Sequence, residues 1–528
     1  MLMTDEQYAA LVSESDELAR TRPDRYLRKM RCLLWLGDLY LVVITVLLLT
    51  LQVGALCIII RDLYTGAVGW QTVLSIPVLI WASWLMYKLV LMKGGRKASS
   101  GIPLTREQAP ELFTLIDTLS SQADAQPLHR VLITDIFHAS LEQLPRLGIF
   151  GWYHNTLLLG LPLFKCLTIE QFKALLAHEL GHLANKGCCK TARRGHRQML
   201  RWTGLADTLG DSPNTLFFKH FLEWFMEYVG AYAGPLVRMS EYEADTLSVR
   251  LVSHEAAVET LCISNVIDRY LETYYWPQVR QQANELPEPV APYQMMAGRF
   301  TAQVTMDWAE HWVAVDMRTK TDPKVTHPAL QDRLKALQAT PHIVLAEAGQ
   351  NAEGLLGNAF QTITEQMDRE WQAKNRSWWV ERYQRVQDNR QQFAELNTRV
   401  ARGEELSVEE AYQRAQLTWS VDGNEEETLR QLLALYFQDK ENPLASFGLG
   451  AWLLNRWYTP EDEYDAEDGY ALLEQAMRLD ESFTVRCCEM LRDYCQENDR
   501  EKEAQKWDKK LQARLQLEEA AKQERSQM

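Results

Sequence analysis

The sequence contains no Cys-x-x-Cys pair. Its nine cysteines in 528 residues are few and odd in number, and they include two adjacent pairs, Cys188–Cys189 and Cys487–Cys488. That excludes a disulfide framework and a cysteine-based zinc site, and reduced thiols are the expectation. Positive charge is also in deficit: 56 Lys and Arg stand against 71 Asp and Glu, a formal net charge of -15. A chain so acidic is poorly suited to nucleic-acid binding through phosphate contacts, and no nucleic-acid partner is expected. No secretory leader is expected either, because Asp5, Glu6, Glu14, Asp16 and Glu17 precede the first apolar run. Leu56 before Cys57 argues against a lipoprotein cleavage site. The overall composition, 46% hydrophobic and 24% charged, excludes collagen-like and fully disordered classes and leaves room for several domains.

The acidity is unevenly placed. Residues 346–528 carry 37 acidic and 23 basic side chains, whereas residues 1–345 carry 34 and 33. Two long runs in the first part have no charge at all, Leu39–Ile60 with 22 residues and Leu63–Tyr87 with 25. Each is long enough to span a bilayer core, for which about 20 apolar residues suffice. Trp35, Trp70, Trp81 and Trp84 suit interfacial belts. Arg20, Arg22, Arg25, Arg28, Lys29 and Arg31 precede the pair, and Lys93, Arg96 and Lys97 follow it. Basic flanks stay cytoplasmic, so the expected topology is a helical hairpin with its turn outward and both tails in the cytoplasm. The protein is therefore expected to be integral to a membrane, the cell inner membrane by this reading, with the lipid bilayer among its partners.

The pattern divides the chain into a tail at 1–31, two spans within 32–92, a mixed domain at 93–345, a charged helical connector at 346–406 and an acidic helical module at 407–528. In the mixed domain GGRKASSG (94–101) reads as a linker and Glu107–Ser120 as an amphipathic helix. Arg130–Thr134 and Asn155–Gly160 read as strands, and 168–186 as a helix capped by Thr168 and ended by Gly187. Around Phe217–Tyr232 an amphipathic helix either lies on the membrane surface or packs inside the domain. In the last module, units of about 34 to 41 residues begin near Ser407, Asn442 and Ser482, a loose period that resembles tetratricopeptide-type repeats. Such a module most often binds another protein, and a plain helical bundle is the alternative.

The most informative stretch is His178-Glu179-Leu180-Gly181-His182, an H-E-x-x-H motif. Residues four apart share a helix face, so His178 and His182 can present two imidazoles to one zinc, with Glu179 placed to take a proton from water. Uncharged neighbours from Leu175 to Asn185 suit a buried helix. A catalytic zinc needs a third protein ligand. Glu241 and Asp245 are also four apart. Glu241 is assigned as the ligand and Asp245 as the acceptor that fixes a histidine tautomer, with Glu243 the rival ligand if the register differs.

With these residues in view, the chain resembles the HtpX-like integral membrane zinc endopeptidases, which include the CAAX prenyl protease type. His178, Glu179 and His182 match the family's first element. Arg238, Glu241, Ala244 and Asp245 match its second, with Val237 in place of the family's serine, and His327, Pro328 and Arg333 match a later one. The resemblance spans about residues 105–340. It implies a gluzincin fold, mainly helical with a small sheet, and one zinc ion per chain. It also implies peptide-bond hydrolysis, with Glu179 as base and proton carrier, His327 as oxyanion donor and Arg238 beside the ligands. His138 stands where many relatives carry a substrate-binding asparagine, and family members with further apolar spans between the two zinc elements differ from this chain. An extended substrate would lie along a strand edge near Phe137–Gln143. The expected partners are protein or peptide substrates, and membrane-protein quality control is a role that fits. The competing expectation is a catalytically silent peptidase-fold scaffold that binds proteins through its C-terminal helices.

Overall fold

The computed structural model describes residues 4–66, 68–91, 99–147, 150–209, 216–321, 327–347, 349–455 and 464–527. Lys93, Arg96, Lys97 and most of the expected linker at 94–101 lie outside them. The chain divides into two compact units. One comprises Met1–Arg280 with Val290–Asn375, the other Gln281–Pro289 with Arg376–Met528.

The first unit opens with three helices: α1 (Asp5–Thr21), α2 (Pro23–Thr65) and α3 (Trp70–Leu91). Helices α2 and α3 are long and apolar enough to cross a membrane. They leave large apolar side chains bare, including Val42, Val43, Val46, Leu74 and Ile80, as lipid-facing helices do. Both expected runs differ in extent from the helices. Helix α2 starts sixteen residues before Leu39, because its polar first part packs on the rest of the unit through Tyr26, Met30 and Asp38. The turn falls after Thr65, where Gly66 takes a left-handed conformation (φ 70°), so Arg61 and Asp62 belong to α2. Pro77 is accommodated inside α3.

A four-stranded sheet follows, formed by β1 (Ile102–Leu104), β2 (Arg130–Thr134), β3 (Ala139–Pro145) and β4 (Tyr153–Gly160) in the order β1-β2-β4-β3. Strands β2 and β4 are parallel, with Val131 opposite Leu157. Strand β3 is antiparallel to β4, with Ala139 opposite Leu159, and forms an edge. Between β1 and β2 runs α4 (Pro110–Gln122), which starts later than the expected Glu107 because Gln108 still closes a turn onto Thr105 and Pro110 occupies the first helical position.

Next come α5 (Leu161–Cys166), α6 (Ile169–His182), α7 (Gly187–Leu209) and α8 (Leu216–Leu251). Helix α6 begins with a reciprocal capping box between Thr168 and Gln171. It stops at His182, earlier than expected. Gly187 does not end it but opens α7, in a left-handed conformation (φ 63°). Helices α7 and α8 pack on the apolar hairpin: Trp202, Leu205, Leu222 and Phe225 are buried with Leu34, Leu41, Ile44 and Leu85. A polar tie sits beside them, where Asp38 of α2 accepts from Arg194 (2.6 Å), Gln198 (3.0 Å) and Arg201 (2.6 Å) of α7.

Pro235 lies inside α8. Without an N–H it cannot bond the carbonyl four residues back. That carbonyl, of Ala231, accepts from the buried Ser15 hydroxyl of α1 (3.2 Å), and the next one, of Tyr232, accepts from Tyr26 of α2 (2.5 Å). The proline thus becomes the place where α1 and α2 attach to α8.

The unit is completed by α9 (His254–Tyr270), a π-helical turn at Leu271–Tyr275, α10 (Trp276–Gln281), α11 (Pro292–Gln303), α12 (Met306–Asp316) and α13 (Leu330–Ala336), and by the first part of α14 (Ala359–Ala401). Its core continues past residue 345, since Ala352, Leu355, Leu356, Ile363 and Met367 are buried with the residues of α6 and α9.

In the second unit the rest of α14 holds the proline-rich loop, through Trp379 Nε1 to the Leu286 carbonyl (2.8 Å) and Arg382 to Asn284 (2.9 Å). Six helices follow: α15 (Val408–Leu417), α16 (Glu425–Gln438), α17 (Pro443–Leu454), α18 (Ala466–Leu479), α19 (Thr484–Glu497) and α20 (Glu501–Gln527). Each packs on its neighbour in sequence. Ser407 and Asn442 cap α15 and α17, and Ser482 sits in the turn before α19, so the three expected unit starts are the starts of three helix pairs. Gly450 and Gly469 let α17 and α18 touch backbone to backbone.

Candidate metal centre

Two helices make the site. Helix α6 carries His178, Glu179 and His182, and α8 carries Glu241 and Asp245. They cross where Gly181 meets Ala244. A Cβ on Gly181 would lie 3.3 Å from the Ala244 Cα and 3.1 Å from Leu247 Cδ2. Small residues on both sides bring the axes close enough for α8 carboxylates to reach α6 imidazoles. Glu241 and Asp245, each 3% exposed, are held there out of water.

The two Nε2 atoms of His178 and His182 are 3.3 Å apart. Glu241 lies 3.6 Å from the first and 3.4 Å from the second. One donor atom from each of the three residues falls within 4.8 Å of the others. Two ligands each about 2.1 Å from a tetrahedral zinc are separated by roughly 3.4 Å, so the donor set and its spacing fit that ion. The third carboxylate in this stretch, Glu243, points elsewhere. It accepts from the Cys189 N–H (2.7 Å) at the start of α7, where it lies against Gly187.

The partners of these donors orient them. His178 Nδ1 is 2.9 Å from Asp245, which leaves Nε2 toward the donor cluster. Asp245 in turn accepts two hydrogen bonds from Arg333 of α13 (2.8 and 2.5 Å). His327 Nδ1 is 3.0 Å from Glu241 Oε2. At the end of α6, Arg193 donates to the carbonyls of His182 (3.2 Å) and Ala184 (2.7 Å), satisfying the last turn that carries His182.

The charges follow from this packing. Burial opposes ionisation of Glu241, but hydrogen bonds from His178 and His327 hold it well below the usual carboxylate range. Burial likewise works against Asp245, yet Arg333 and His178 bring it down to about 2. Against desolvation, Asp245 and Glu241 raise His178 to about 10, so a metal held there would have to displace a proton. Desolvation and the neighbouring His178 lower His182 to about 4. Burial pushes Glu179 up to about 7.

The other expected site residues are placed as follows. Arg238 pairs with Asp16 of α1, on the helix–helix contact beside the proline. His138 precedes β3 and lines a cavity, and the charge of His327 adds to desolvation in lowering its pKa. Strand β3, Ala139–Pro145, holds most of the expected substrate edge at Phe137–Gln143, and only β4 pairs with it among the described residues. Helix packing brought in Arg193 and the Glu255–Glu259–His342 group. In that group three donors also come within 4.8 Å, with Glu255 and His342 exposed and Glu259 accepting from Gln171 (3.2 Å). His342 lies more than eighty residues after Glu259, and Arg193 reaches back to α6 only because α7 folds against it, so spacing carried no signal for either contact.

No curated protein matches the chain. Residues 150–341, which hold the two histidines, Glu179, Glu241, Asp245, His327 and Arg333, match a family model, and the family this part of the chain is similar to is Peptidase family M48.

Proposed function

We propose that the protein is a membrane-anchored, zinc-dependent endopeptidase of the HtpX-like type, acting on protein substrates from the cytoplasmic face of the cell inner membrane. The observation that carries this reading is the meeting of His178, His182 and Glu241 around one point, with Glu179 beside them on α6. His178, His182 and Glu241 would hold a zinc ion, and the chemistry it would supply is that of a Lewis acid toward a peptide carbonyl and a water.

The rest is the work of the chain's own groups. Glu179, with its pKa near 7, takes the proton from the attacking water and returns it to the leaving amine. Asp245, steadied by Arg333, keeps the proton of His178 on Nδ1. His327 donates from Nδ1 to Glu241, a bond that raises its pKa, and as the imidazolium it has an Nε2–H left to donate to the oxyanion. An extended substrate adds to the outer edge of β3, which no other described strand pairs with, next to His138. Helices α2 and α3 anchor the unit, and membrane-protein quality control is the role that suits an anchored endopeptidase. The three acidic helix pairs, resembling tetratricopeptide-type repeats, serve as a docking module for a protein partner. They are also what favours the second reading, a silent scaffold.

The two readings are separated by cleavage of an unfolded protein by the purified chain. Chelator-sensitive cleavage that is restored by zinc and absent from Glu179→Gln supports the enzyme. A zinc-loaded chain that binds but never cleaves supports the scaffold.

A further inference from the structure

A cavity of about 1110 Å³ opens in the first unit at the carboxyl end of β2. It is walled by the end of β2, the Asp135–His138 loop, the end of α9 with its π-helical turn, and the first part of α14. Ligands of parallel-strand sheets gather at this end, and π-helical turns are frequent at functional sites. The volume slightly exceeds the range of about 300–1,000 Å³ usual for small-molecule pockets, far more than a single ion needs and enough for several residues of a chain.

Four carboxylates line it, of Asp135, Asp268, Glu272 and Glu370, against two cations, Arg280 and Lys374. Asp135, Asp268 and Glu272 form no ion pair within 4.0 Å among the described residues. Asp268 and Glu272 are four apart across the start of the π-helical turn. Burial, and then the charge of Glu272, raise the Asp268 carboxyl above its ordinary range. Like charges so placed repel one another, and a cation between them relieves the repulsion. Trp276 and Trp371, stacked at 6.2 Å, form an aromatic wall against which a cation can rest. Thr134 also lines the cavity, is 7% exposed, and its Oγ1 has no hydrogen-bond partner. Phe137 and His138, the two residues before edge strand β3, also line the cavity, and His138 is within electrostatic reach of His327. A chain laid along β3 therefore runs into this space.

We infer that the cavity is a subsite for lysine or arginine side chains of the polypeptide substrate, selected by Asp268 and Glu272. This rests on the endopeptidase reading above. It adds a preference for basic residues at one fixed distance from the cut.

The test uses the full-length, zinc-loaded protein and two peptides that differ only in carrying Lys or Gln at each position around the cleaved bond. For the wild type, kcat/KM should favour the Lys peptide by tenfold or more at one position. In Asp268→Asn/Glu272→Gln that ratio should fall toward one. In Asp268→Lys/Glu272→Lys it should invert in favour of a Glu peptide, a gain that misfolding cannot produce. No basic preference in the wild type, or a preference that survives the neutral double variant, overturns the subsite while leaving the peptidase reading intact. Binding of a fluorescent Lys-rich peptide to Glu179→Gln separates the two failures. If no form of the protein cleaves, yet binding depends on Asp268 and Glu272, the subsite stands and the peptidase reading falls. Absence of both cleavage and such binding overturns both.

Discussion

Arg333 grips Asp245 with two hydrogen bonds, of 2.8 and 2.5 Å, and Asp245 in turn holds His178 at 2.9 Å. The guanidinium thus orients an imidazole that it does not touch. Replacing it by methionine keeps the bulk and leaves Asp245 a buried, half-satisfied carboxylate. Arg333→Met should lower zinc affinity by about 10–100-fold, the usual cost of losing such a partner, as measured by competition with a chromogenic chelator. Affinity equal to the wild type would detach Arg333 from the metal centre.

Glu241 and Glu243 are two residues apart and face different neighbours. Glu241→Ala should remove stoichiometric zinc. Glu243→Gln should retain it, with about 1 kcal/mol of stability lost where the carboxylate meets the α7 N-terminus. Metal analysis of both variants, with thermal unfolding of the second, checks the pair. Zinc lost from Glu243→Gln and kept by Glu241→Ala would reverse the assignment.

The raised Glu179 carboxyl has a signature in the metal-free protein. Its folded pKa, about 7, lies above the ordinary 4.5, so folding favours the protonated form. The stability it confers is full below about pH 4.5 and is lost as pH rises through 7. Relative to Glu179→Gln, the wild type should lose up to about 3 kcal/mol between pH 4.5 and 8, read by denaturant titration at each pH. A difference between the two proteins that stays constant with pH would contradict the burial of this group.

Gly181 faces Ala244 where α6 and α8 cross. Gly181→Val adds methyl groups that α8 must yield to. Destabilisation of about 1–3 kcal/mol is expected, along with weaker zinc binding as Glu241 moves away from the imidazoles. Unchanged zinc affinity would mean that the ligand geometry does not depend on this crossing.

In the second unit a Cβ on Gly450 would lie 3.0 Å from the Gly469 carbonyl. Gly450→Val should therefore destabilise that unit by about 1–3 kcal/mol, seen as an earlier transition in thermal unfolding.

The elements that local chemistry determines were legible in the sequence. Thr168 with Gln171 announced the start of α6, a short apolar run gave β2 its bounds, and the H-E-x-x-H spacing brought two imidazoles together. Features made by distant segments were not. The polar first part of α2 is helical because α1, α7 and α8 clothe it, so hydropathy alone placed the start near Leu39. Arg238 pairs with Asp16, more than two hundred residues earlier, a partner that no spacing announced. Arg193 closes the end of α6 from the following helix. The α6 helix stops at His182 because the chain then turns to run beside Gln126 and Asp124, a constraint invisible from the glycine at 187.

The tie between Asp38 and the three α7 side chains has a geometric consequence. Only four residues separate α7 from His182, so the metal-ligand helix is tied to the apolar hairpin through α7. If α2 stands in a bilayer, its first apolar turns beyond Asp38 fix the altitude of the catalytic centre over the lipid. Such a centre cannot reach outward on a tether. On the endopeptidase reading it would cut whatever chain is brought to that one height, and how far a target's tail protrudes from the membrane would select as much as its sequence.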